Sequence, residues 1–183
     1  MAAMGQELLA IAGGAGRVCV GLVFLLAAAQ KFSHWRILSG VVANYRLLPA
    51  GLVGPVSALL PPAEMILALL LLTGVAQYGA AMAAIALLVL FAAAMGINLR
   101  RGRAHIDCGC GQSFLQQTLR WTLIARNAVL VAMLLPSLTQ TAPMTLSAML
   151  TSVSAGAGFF LLYLLFNTLS ALPPARARTH RFA

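Results

Sequence analysis

Two long stretches of the chain contain no Asp, Glu, Lys or Arg, one between Glu64 and Arg100 and the other between Arg126 and Arg176. Each exceeds the roughly 20 apolar residues that span a hydrocarbon core. The first cannot be one straight helix, because at a rise of 1.5 Å per residue it would overshoot a core of roughly 30 Å by about 20 Å. It must fold back, and the segment from Gly74 to Gly79, with Gln77 and Tyr78, supplies the break. One helix is therefore predicted over about 54–73 and another over about 77–98. A shorter apolar run predicts a first span over about 16–32, bounded by Arg17 and by Lys31, whose long stem is expected to reach the interface. A fourth span is predicted over about 120–135, ending at Pro136, and a fifth over about 145–169.

The connection after the first span carries Trp35, Arg36, Tyr45 and Arg46, aromatic and basic residues that suit the headgroup layer. A short interfacial helix is expected there. Pro61 and Pro62 remove backbone donors inside the second span and predict a kink just before Glu64. Small residues gather in the third and fifth spans, Gly79, Ala80, Ala81, Ala83, Ala84 and Ala86, then Ser154, Ala155, Gly156, Ala157 and Gly158, and imply close helix packing.

Composition agrees with this pattern. Of 183 residues, 61% are hydrophobic and 8% charged, against roughly 25% charged in a soluble domain. The fold class is accordingly all-α, a polytopic membrane bundle of about five helices: a four-helix core plus a C-terminal helix. Residues 1–172 form one membrane domain and 173–183 a short basic tail. A net charge of +9 would point to nucleic acid in a soluble chain. Here the basic residues flank the apolar segments, so membrane lipids rather than nucleic acid are the expected partner. The run ending at Ala27-Ala28-Ala29 lacks the basic start of a signal peptide and reads as a retained helix.

Counting charges by face gives an orientation. Arg36, Arg46, Arg100, Arg101, Arg103, Arg120, Arg176, Arg178 and Arg181 fall on one side, with Lys31 beside them, while only Arg17 lies toward the other. The N-terminus is expected outside, with the loop after the third span and the tail in the cytoplasm.

That loop holds the sharpest local feature, His105-Ile106-Asp107-Cys108-Gly109-Cys110-Gly111. Two thiols one residue apart close a small strained ring, and strained disulfides are more readily reduced. Gly109 and Gly111 permit the unusual backbone angles of such a turn. Arg100, Arg101, Arg103 and His105 favour a thiolate. Two other readings stand beside this one. His105, Cys108 and Cys110 offer three metal ligands, with Asp107 near, although structural zinc normally takes four at wider spacing, so no metal site is assigned. The thiols can also be incidental loop residues. Cys19, toward the opposite face, reads as a packing residue.

Glu64 and Arg126 lie inside apolar segments, where charges need partners. Counted from the cysteine-loop face they reach similar depth, so an ion pair between them, with Asn127 nearby, is expected. Asn98, Lys31 and Tyr45 map near the same face, where each taken alone reads as an interfacial anchor and the three together can line a cavity shared with the cysteine turn. The chain has no GxGxxG or Walker-type loop, which argues against a soluble nucleotide cofactor; no cofactor is evident, and no residue pattern reveals a quinone site, although a quinone stays open.

Over about 17–135 the chain carries, in order, Val23-Phe24 with Gln30-Lys31-Phe32, Tyr45-Arg46-Leu47-Leu48-Pro49, Leu60-Pro61-Pro62-Ala63-Glu64, Asn98-Leu99-Arg100-Arg101-Gly102-Arg103, Cys108-Gly109-Cys110-Gly111 and Ala125-Arg126-Asn127. Together these motifs resemble the methylamine utilization protein MauE family, related to DoxX-like membrane proteins. The resemblance implies a bacterial inner-membrane accessory protein for methylamine dehydrogenase, a periplasmic quinoprotein whose small (beta) subunit has many disulfides and a tryptophan-derived quinone. It implies a role in processing, transport or maturation of that subunit, beside the thioredoxin-like partner MauD. On that reading Cys108 and Cys110 are the redox pair of a thiol:disulfide oxidoreductase component, supported by Glu64, Arg126, Asn127, Asn98, Gly109 and His105. The competing classes are a quinone-linked disulfide enzyme, which usually needs a second cysteine pair, a non-redox scaffold, and a small-solute transporter with a site at the proline kink. The implied periplasmic role and the charge-derived cytoplasmic loop point to opposite faces.

Overall fold

The computed structural model describes residues 2–103, 119–139 and 145–171. Every regular element among them is helical: α1 Ala2–Ser33, α2 Trp35–Asn44, α3 Ala50–Thr73, α4 Gln77–Arg100, α5 Trp121–Leu134 running on into a 3-10 turn at Leu135–Leu138, and α6 Leu146–Ala171. Five of the helices are long and apolar enough to cross a membrane. α2 is the exception and the expected short helix: Leu38 faces inward while Trp35, Arg36 and Ile37 are exposed, and the Trp35 ring stacks on Phe32 at 6.2 Å.

The reversal between α3 and α4 falls where the sequence breaks. Gly74 takes φ +74° and donates its N–H to Leu70 O at 3.0 Å, the left-handed cap that glycine adopts without a Cβ clash. α3 runs as one helix from Ala50 to Thr73, with Pro55, Pro61 and Pro62 inside it. Pro61 is fully buried, and Ser57, whose carbonyl loses its i+4 partner to it, is buried as well, the setting in which proline is tolerated inside a span.

α1 is the central helix. It packs along α3 and α6 and also touches α5, and Ala15, Cys19, Val20, Phe24 and Ala28 are all buried. Close approach is made through glycines: a Cβ on Gly16 would run into the backbone of Met133, and one on Gly21 would stand 2.9 Å from Leu72. The main core joins Val20 and Phe24 of α1 to Ala68 and Leu71 of α3, Ala80, Ala84 and Leu88 of α4, and Leu130 and Leu134 of α5. A second cluster, Met95, Leu119 and Leu123, closes the end from which residues 104–118 depart. The outward faces carry Leu59, Leu90, Leu161 and Leu165, which suit lipid.

Candidate functional site

Buried polar side chains concentrate in the half of the bundle that includes α2 and the stems of the segment 104–118. Glu64, on α3, is wholly buried. Its two carboxylate oxygens each accept from Lys31 Nζ at 2.8 Å, and Lys31 is itself only 6% exposed. Lys31 sits in the last turn of α1, and side chains on a helix lean toward its N-terminus. Its stem therefore runs back along α1 to Glu64 instead of out to the interface. Lys31 takes the place that the depth argument gave to Arg126. The reason is lateral: α3 packs against α1, α2 and α4, whereas α5 packs against α4, α1 and the 3-10 turn. Similar depth did not mean adjacent helices.

Arg126 is held on the side of α6. Its Nη1 donates to Asn167 Oδ1 at 2.8 Å and its guanidinium stands 5.4 Å from the centre of the Tyr163 ring. Asn127 is buried beside it in sequence. Asn98 is fully buried near the end of α4; its Nδ2 donates to Ala94 O at 3.0 Å, while Oδ1 has no partner. Its main-chain oxygen accepts from Arg103 N at 3.0 Å, so the chain leaves the bundle directly over Asn98. It returns through Leu119, which is 1% exposed against Met95 and Leu123. His105, Cys108, Gly109 and Cys110 lie outside the described residues.

A cavity on this face takes in two of the three residues expected to line one, Lys31 and Tyr45, while the cysteine turn expected to share it lies outside the described residues. The cavity has a volume of about 550 Å³ and opens between α2, α3 and α4, with Val42, Leu60, Phe91 and Ala94 forming walls. Asn98 is not part of it. At the opposite end of the bundle Arg17 Nη1 donates to Gln77 Oε1 at 2.7 Å, and Gln77 Nε2 donates to Ser137 O at 3.0 Å. That network ties α1 to the α3–α4 turn and to the end of α5. Cys19 is buried in the core, as its small apolar character indicates.

The sequence marks Glu64, Arg126 and Asn127 as polar positions inside the spans, puts Asn98 and Lys31 near the membrane face where the structure buries them, and gives no place to Asn167 or to the half-buried Tyr163 ring. The signal for Asn167 was an amide set in an otherwise apolar run near the end of the last span.

The family model for methylamine utilisation protein MauE matches residues 8–140. The methylamine utilization protein MauE of Paracoccus denitrificans is 39% identical over 163 residues, covering 87% of this chain and 88% of its own length. That of Paracoccus versutus is 37% identical over 166 residues, covering 89% of each. That of Methylophilus methylotrophus is 47% identical over 91 residues, covering 50% of this chain and 48% of its own. No solved structure matches the chain. A match over most of the chain, carried by an apolar five-span bundle, places this protein in the MauE family of methylamine utilisation proteins.

Proposed function

We propose that the protein is a bacterial inner-membrane accessory factor for maturation of the methylamine dehydrogenase small subunit, working through the Cys108/Cys110 pair with a thioredoxin-like partner, MauD. The observation that carries the reading is membership of the methylamine utilisation family across most of the chain, in a protein whose only close cysteine pair is Cys108-Gly109-Cys110.

The chemistry is thiol–disulfide exchange. A partner thiolate attacks one sulfur of the Cys108–Cys110 disulfide, forming a mixed disulfide and releasing the other sulfur as a thiolate. The partner's second thiolate then attacks the mixed disulfide. The partner becomes a disulfide and the pair a dithiol, with two electrons and two protons moved; the reverse direction uses the same steps. The membrane bundle supports this by fixing both stems of the cysteine segment, at Arg103 over Asn98 and at Leu119 against Met95 and Leu123.

The test is a Cys108→Ser, Cys110→Ser double variant in a methylamine-grown host. Expected is normal membrane insertion with loss of mature, disulfide-bonded small subunit. Unimpaired maturation would overturn the redox role and leave a scaffold.

A further inference from the structure

The cavity between α2, α3 and α4 is apolar throughout except at Lys31 and Tyr45. Its volume of about 550 Å³ falls within the roughly 300–1,000 Å³ of pockets that enclose a small organic ligand. Lys31 makes it more than a gap between helices. An ammonium carries three N–H donors, and at most two are engaged, by Oε1 and Oε2 of Glu64. The remaining donor has no oxygen acceptor among the described residues, and the Phe91 ring centre lies 5.8 Å from Nζ.

We propose that this cavity binds a lipid-soluble quinone, with a neutral carbonyl oxygen accepting the third N–H of Lys31 and the ring and first prenyl units filling the space between α2, α3 and α4.

Three features favour that occupant. Glu64 already neutralises Lys31, so the charged end of the cavity has no net charge to attract a carboxylate or phosphate, while a hydrogen-bond donor remains for a neutral acceptor. Phe91, which lines the cavity next to Lys31, offers a flat aromatic wall to a planar ring. Phe91 also lies nine residues before Arg100, the last residue of α4, or about 14 Å along the helix axis. With Arg100 at the headgroup level, where a span-end arginine sits, that depth is below the ester carbonyls of a phospholipid, whose acyl chain has no acceptor to offer there. A quinone brings its carbonyls to that depth with its apolar body.

The experiment is equilibrium binding of tritiated decylubiquinone to the full chain in lipid nanodiscs. Two variants accompany it: Ala94→Phe fills the cavity and leaves the ion pair intact, and Lys31→Met with Glu64→Leu removes the donor and the charge it would strand. Expected is saturable binding at one site, weakened at least about tenfold in each folded variant, with no competition from dodecylbenzene or phosphatidylglycerol. Absence of saturable binding, unchanged binding in either folded variant, or equal competition by either competitor would overturn the proposal, the last by showing a site for alkyl or acyl chains. The readout is binding alone, so its outcome is separate from that of the cysteine substitutions.

Discussion

At the scale of single residues, the Lys31–Glu64 pair is a buried ion pair between α1 and α3. Two unit charges are removed from water and meet through two contacts at 2.8 Å. Removing one partner from a buried pair typically costs about 3–5 kcal/mol, because the survivor is left charged and unsatisfied, whereas replacing both with apolar side chains is often close to neutral. Glu64→Leu and Lys31→Met are therefore each expected to lower thermal stability markedly in detergent, and the double variant to recover most of the loss. A double variant no more stable than the singles would contradict this account. The pair also marks a limit of the sequence. Both charges, and the depth of Glu64, are legible; their pairing is not, because it depends on where α1 ends. Trp35–Asn44 forms its own helix between α1 and α3, so the end of α1 need not coincide with the membrane surface, and Lys31 can be a buried partner where the chain pattern reads an interfacial anchor. Arg126 shows the same limit. Its need for a partner is evident from its setting, but Asn167 and Tyr163 come from a helix some forty residues away.

At the scale of elements, the number of spans, the short α2 and the reversal at Gly74 were legible, because charge-free length and turn residues determine them, but α1 starts at Ala2 and runs through Arg17, which the charge pattern took as its boundary. Which face of a helix turns inward was not legible. In lipid the outward face is as apolar as the inward one, so periodicity carries little information. The small residues illustrate this. Ala80, Ala81 and Ala84 are buried, while Gly79, Ala83 and Ala86 on the same helix are exposed. On α6 the buried stripe is Ala148, Ser152 and Gly156, spaced one turn apart and facing α1, while Ser154 and Gly158 face out. Ser152 Oγ also lies 3.3 Å from Ile11 O across that contact. A Cβ at Gly156 would stand 2.6 Å from Val18 Cβ and 2.7 Å from Ala15 O, whereas one at Gly158 meets nothing within 4 Å. Gly156→Val is thus expected to push α6 from α1 and destabilise the protein by about 1–3 kcal/mol, the range for overpacking. Gly158→Val serves as the matched control and should leave the melting temperature nearly unchanged. Equal effects at the two positions, measured by thermal scanning in detergent, would show that α6 does not dock through Gly156.

At the scale of the whole molecule, the five spans put the start of α1 on one side and α2, the end of α4 and the start of α5 on the other. The basic residues divide the same way. Arg36, Arg46, Arg100, Arg101, Arg103 and Arg120 all flank spans on the cysteine-segment side, and the one cation toward the opposite end, Arg17, is engaged with Gln77 inside the fold. Positive charge on short connections is retained in the cytoplasm, so we expect Cys108 and Cys110 on that face. The periplasmic setting implied by the family resemblance predicts the reverse, and labelling separates the two. A Cys19→Ser variant leaves only the loop thiols, and a membrane-impermeant maleimide is applied to intact spheroplasts and to lysed cells, each with and without reductant. Labelling confined to lysed cells supports the charge-based orientation and puts any exchange partner on the cytoplasmic face. Labelling of intact spheroplasts after reduction inverts the orientation and makes the pair a periplasm-facing disulfide, open to direct exchange with a partner there. Neither outcome touches the bundle's interior: the cavity and the Lys31–Glu64 pair keep their place toward the end of the bundle that carries α2, and only the compartment that end meets would change.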